Sequence, residues 1–158
     1  MVRKTISKKA FTILEIMIAI VIFIIAFLGT SAYRYHAALS AHRADLQTTA
    51  ARTALLLCEG WSGVKGVATF DPVAAFSSDL TISENVGPEV PDDFTLLDSY
   101  KIVLEGTDYY ATLSWQDLAT GLRALNVIVS WDQTGQGTDS FSDTNNSYRL
   151  TTYVENPG

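Results

Sequence analysis

The sequence predicts an α+β fold. A long N-terminal helix, transmembrane in its first half and amphipathic in its second, packs on a small antiparallel β-sheet of about four strands. Three observations carry this expectation. The run from Phe11 to Ala32 is apolar apart from Glu15, helical periodicity then continues to Glu59, and alternating β-rich segments appear only later. Strands that follow one helix, rather than alternating with several, exclude a doubly wound sheet.

The apolar run of about 22 residues is long enough to span a bilayer. Arg3, Lys4, Lys8 and Lys9 precede it, so the rest of the 158-residue chain holds seven basic residues against 17 acidic ones. A basic leader, residues 1–10, ahead of the apolar run puts residues 1–9 in the cytoplasm and the C-terminal domain outside it by the positive-inside rule. The acidic balance argues against nucleic acid, whose phosphates need clustered Lys and Arg. A single cysteine, Cys58, provides no disulfide framework.

Beyond the membrane, residues 33–60 read as the amphipathic continuation of the helix. Tyr35, Leu39, Leu46, Ala50, Thr53 and Leu57 recur at three- or four-residue intervals, with Arg34, Asp45, Arg52 and Glu59 on another face. Gly60 has the character of a C-cap. If continuous from Phe11, the helix is roughly 73 Å long at 1.5 Å per residue. His36 and His42 are six residues apart and face different ways, so they lack the spacing of a helical metal pair. Cys58 closes the apolar cluster Leu55-Leu56-Leu57 and reads as a small buried hydrophobe.

Residues 61–98, punctuated by Gly63, Gly66, Gly87, Pro72, Pro88 and Pro91, read as an irregular connection with one short strand near Leu80–Ile82. The acids Glu84, Glu89, Asp92 and Asp93 gather toward its end. Residues 99–158 form the sheet domain. Tyr100–Leu104 and Tyr109–Trp115 flank Glu105-Gly106-Thr107-Asp108 as a hairpin. In Leu122–Trp131, alternation puts Leu125, Val127, Val129 and Trp131 on one face; in Ser147–Val154 it aligns Tyr148, Leu150, Thr152 and Val154.

A carboxylate at membrane depth costs at least ~2.5 kcal/mol on insertion scales, which makes Glu15 a candidate functional residue. The segment Lys8-Lys9-Ala10-Phe11-Thr12-Ile13-Leu14-Glu15 resembles the processing site of type IV pilins and type II secretion pseudopilins. The resemblance covers about 25 residues of leader and helix. It implies cleavage between Ala10 and Phe11, methylation of the new Phe11 amine, and a role in assembly for Glu15, five residues into the mature chain. Ala10 stands where the family usually has glycine, and Ala32 where many major pilins carry proline. The implied partners are other pilin or pseudopilin subunits, a prepilin peptidase and methyltransferase, inner-membrane assembly machinery and the lipid bilayer. The implied location is the bacterial inner membrane and then a pilus or pseudopilus, and the absence of a cysteine pair points to a minor subunit.

No enzyme signal accompanies this pattern: there is no Walker-type loop, GxSxG elbow or metal-ligand cluster. No cofactor is expected. Calcium is the one alternative, because Asp132, Asp139, Asp143 and Asn145 place oxygen ligands in one polar loop, although turn formers there read first as a solvated hairpin loop. The rival to a filament subunit is a single-pass, membrane-anchored extracytoplasmic binding domain using Trp61, Trp115 and Trp131 as ligand platforms. Aromatics at strand positions are more often core.

Overall fold

The computed structural model describes residues 12–76, 78–134 and 140–155, and the chain divides into two compact units, Met1–Ala41 and His42–Gly158. Helix α1 runs Ile13–Gly63 and contributes to both. In the first unit its apolar side chains from Ile13 through Phe23 to Leu28 are all exposed. Nothing in the described fold covers them, and the segment is long and apolar enough to cross a membrane.

The second unit holds the expected α+β core. After α1 come α2 (Pro72–Phe76), β1 (Thr81–Glu84), β2 (Thr95–Leu104), β3 (Thr107–Ala119), β4 (Leu122–Trp131), a short 3-10 turn at Phe141–Asp143, and β5 (Asn146–Glu155). The strands form one antiparallel sheet in the order β1-β2-β3-β4-β5. The sheet thus has five strands rather than about four, because the short segment anticipated near Leu80–Ile82 pairs with the edge of β2 from Thr81 to Glu84. The β2–β3 hairpin is also tighter than expected. Its turn is Glu105-Gly106 alone, with φ of 51° and 80°, so Thr107 and Asp108 belong to β3. Positive φ at both central residues is the type I′ signature, whose twist matches that of the strands.

Leu46, Ala50, Thr53 and Leu57 of the expected helical stripe are buried, joined by Ala54, Cys58 and Trp61. They meet Tyr100, Ile102, Tyr109, Ala111, Leu113, Leu125, Val127, Val129 and Trp131 on the sheet. Tyr35 is exposed, and the stripe becomes core only further along the helix. Thr49 hydrogen-bonds the Tyr109 hydroxyl, which satisfies a polar group at the helix–sheet boundary while burial holds that phenol above its ordinary pKa.

Gly60 is not the helix cap. It lies within α1, which continues to Gly63, and a Cβ there would run into the Phe76 ring at 2.6 Å. The chain turns instead at Lys65 (φ 58°) and Gly66 (φ 66°), where the Gly66 amide donates to the Trp61 carbonyl at 3.0 Å. A Cβ on Gly66 would sit 2.8 Å from Leu125 and 2.9 Å from Val154. Gly66→Ala therefore meets an unfavourable backbone region and a closed packing site together. It is expected to destabilise the second unit by more than ~1 kcal/mol, read as a lower Tm in circular-dichroism melts of the full chain in detergent.

The same turn is fastened to the sheet. Arg123 donates from Nε and Nη2 to both Asp117 carboxylate oxygens at 2.7 and 2.9 Å, and from Nη1 to the Gly66 carbonyl at 2.9 Å. Its guanidinium also stacks 3.9 Å from the centre of the Trp115 ring. One planar cation thereby joins a β3–β4 pair to the end of α1.

Alternation gives the sheet's second face the polarity of a solvent-facing surface, yet Tyr110, Thr112, Ser114, Asn126, Ile128 and Ser130 are buried there. The connection between β1 and β2 passes over it: Pro88 is buried, and a Cβ on Gly87 would collide with Thr112 and Ser99. Phe141 packs edge-on to Tyr110 with ring centres 6.0 Å apart. The buried polar groups pair with one another, Ser99 with Thr112 at 2.9 Å and Asn126 with Ser114 at 3.0 Å. A polar face can be covered in this way because its donors and acceptors are satisfied internally.

Candidate functional site

In the first unit the feature that apolar packing does not explain is Glu15. It is the sole ionisable residue between Ile13 and Ala32. Thr12 stands as the N-cap of α1, its hydroxyl accepting from the Glu15 amide at 3.3 Å and its carbonyl from the same amide at 3.0 Å. Glu15 is thus the third helical residue, and Thr12-Ile13-Leu14-Glu15 has the sequence of a capping box. Sequence reasoning missed this cap, although the threonine-to-glutamate spacing was there to signal it. An acidic side chain in the first turn also complements the helix dipole.

Along the helix, Glu15, Ile16, Ala19, Ile20 and Phe23 line one groove that is apolar except for the carboxylate at its head. Ala19 leaves the groove open at its middle, so the surface suits the close approach of another apolar element. Ala10 and Phe11, the expected cleavage pair, lie outside the described residues.

In the second unit the loop residues named for calcium are engaged locally. The Asp132 carboxylate accepts from the Thr134 amide at 2.9 Å and from the Thr134 hydroxyl, and these bonds hold its pKa below the usual carboxylate range. Asn145 Oδ1 accepts from the Gln133 amide at 3.0 Å and from Asn146 Nδ2 at 2.6 Å. Asp143 lies in the 3-10 turn, and Asp139 is outside the described residues. Among the described residues, no group of three or more His, Cys, Asp or Glu side chains is placed to hold a metal ion. The described part of the loop is a set of side-chain-capped turns.

The remaining singled-out residues have structural surroundings. His36 packs edge-on to Tyr35 at 5.7 Å between ring centres, and His42 Nε2 lies 3.3 Å from the Thr134 carbonyl. Cys58 is buried, and burial pushes its thiol pKa up, which makes it a poor nucleophile. The tryptophans do not form an exposed platform. Trp61 is fully buried, stacks on Phe70 and donates from Nε1 to the Val67 carbonyl at 2.8 Å. Trp131 is buried beside Tyr109, and Trp115 carries the Arg123 guanidinium on its face. No protein-family model, curated protein or solved structure matches the chain.

Proposed function

We propose that this chain is a prepilin-like subunit that assembles into a type IV pilus or a type II secretion pseudopilus through its N-terminal helix. The observation that carries the reading is Glu15: a carboxylate at the head of an apolar helix whose side chains find no cover in their own fold. Such a surface requires lipid, other copies of the helix, or each in turn.

Cleavage before Phe11 creates an α-ammonium four residues ahead of Glu15 in the chain. In a helical array, neighbouring subunits are displaced along the axis, so one chain's amine approaches the next chain's carboxylate. Two charges paired in an apolar setting offset their desolvation only with good geometry, and removing one partner costs ~3–5 kcal/mol. The pair therefore sets register more than it adds adhesion. Methylation leaves the amine cationic, so the attraction survives it. The α+β unit is the part displayed by the filament, its tryptophans serving as core.

A test follows from shearing. In the source organism, an epitope-tagged chain is expected to pass from the membrane fraction to sheared filaments together with other subunits. Retention in the membrane fraction under all conditions that produce filaments would contradict the proposal.

A further inference from the structure

Where the chain leaves α1 and returns along the sheet edge, an open cleft of about 290 Å³ lies within the second unit. Phe70 and Asp71 contribute one side, and Glu84, Asp98 and Tyr100 the other. Strand register explains why Glu84, Asp98 and Tyr100 share one face of the sheet edge. Glu84 on β1 stands opposite Tyr100 on β2, and Tyr100 and Asp98 stand opposite Ala111 and Leu113, whose side chains face the core. A bulge between Leu96 and Asp98 closes this stretch of β2. Asp71 joins from the loop ahead of α2.

None of the residues lining the cleft is basic. Asp71 Oδ1 accepts from the Val73 amide at 2.8 Å and Asp98 Oδ1 from the Ser99 amide at 2.7 Å, which leaves the other oxygen of each without a hydrogen bond among the described residues. Glu84 has no side-chain partner among the described residues.

The second observation is Tyr100. It is only 3% exposed and lines this cleft, yet its hydroxyl makes no hydrogen bond among the described residues. Buried hydroxyls in native folds are almost always satisfied, so an orphan of this kind points to an absent partner. Burial, and then the fields of Asp98, Asp71 and Glu84, hold the phenol well above its ordinary pKa. It therefore stays neutral and keeps its lone pairs available.

The acceptors do not converge on one point, since no three acidic groups here are placed to hold a metal ion. A planar cation with five spread N–H donors suits such a set better than a point charge. We propose that this cleft binds a guanidinium group, with Asp71, Glu84 and Asp98 taking its N–H donors and the Tyr100 oxygen accepting one more.

The test uses the full chain in detergent micelles at fixed ionic strength, followed by NMR of the Tyr100 ring and the Glu84 amide. The probes are ethylguanidinium chloride, the blocked peptide Ac-Ala-Ala-Arg-Ala-Ala-NH2, its citrulline counterpart and calcium chloride. Saturable shifts with both guanidinium probes are expected, and none with citrulline. Tighter binding of the peptide identifies a polypeptide side chain as the source, and equal binding a free small guanidine. Glu84→Gln with Asp98→Asn is expected to weaken binding at least tenfold without changing Tm. Both positions are partly or largely exposed, and the side-chain amide oxygen that Asp98→Asn introduces can still accept from the Ser99 amide. Tyr100→Phe, read at Glu84, is expected to weaken it about threefold. Equal binding of the citrulline peptide, shifts from calcium alone, or unchanged affinity in the double variant would overturn the proposal.

Discussion

Glu15→Gln is expected to leave the protein inserted in the membrane and correctly folded, yet to reduce its share of sheared filaments by at least about a hundredfold. The magnitude follows from stranding the neighbouring amine, ~3–5 kcal/mol, with each 1.4 kcal/mol worth tenfold. The glutamine substitution separates the proposed charge pairing from a contribution of the same side chain to a capping box. Thr12 caps α1 through the amide of residue 15, and glutamine serves a capping box as well as glutamate does. A variant that keeps the cap and loses the charge therefore isolates the charge. Glu15→Ala is expected to match Glu15→Gln in filament content. Were capping the whole function of Glu15, glutamine would be silent and alanine alone would show a defect. Immunoblots of membrane and sheared fractions distinguish the two outcomes.

The second large effect is expected at Trp61. It is fully buried, its ring lies nearly parallel to Phe70, and its indole N–H holds the Val67 carbonyl just beyond the end of α1. Trp61→Ala removes a large core side chain and leaves that carbonyl without its donor. A loss of ~3–5 kcal/mol is expected, which lowers Tm by roughly 10 °C or more. Trp61→Phe keeps much of the volume and is expected to cost about 1–3 kcal/mol, from the lost hydrogen bond and imperfect packing. A ligand platform would show the reverse pattern, with stability nearly unchanged in both variants. Amide circular dichroism of the full chain in detergent provides the comparison.

The parts of this fold that announce themselves in the sequence are those governed by periodicity. Leu46, Ala50, Thr53 and Leu57 lie at helical spacing and are buried together. Leu122–Trp131 is a strand with the limits that alternation assigns to it. Differences arise where a local rule competes with packing. Gly60 has the composition of a cap, but the Phe76 ring occupies the space a side chain there would need, and the chain turns later at Lys65-Gly66. The start of β2 is hidden because the bulge near Leu96 breaks the alternation. Thr112, Ser114, Asn126 and Ser130 have the polarity of a solvent face. Their burial depends on a strap carrying Gly87 and Pro88 from elsewhere in the chain, which alternation within a strand does not encode.

The candidate site divides in the same manner. Glu15 is legible because one acid in an apolar run has a large energetic cost. Its cap is easily overlooked because Thr12 looks like a neutral spacer until it is paired with the residue three places on. Arg123 gives no warning at all. A lone basic residue near a strand start is ordinary, and its role emerges only when folding brings Asp117, Trp115 and the Gly66 carbonyl around it.

The account rests on a positive charge made by proteolysis beside Phe11 and met by Glu15. Intact-mass and N-terminal peptide mass spectrometry of the protein purified from its native membrane measures that event directly. The account predicts a chain that begins at Phe11 and carries one added methyl group on its α-amine. A functional chain that still begins at Met1, or one that begins at Tyr33, would contradict it.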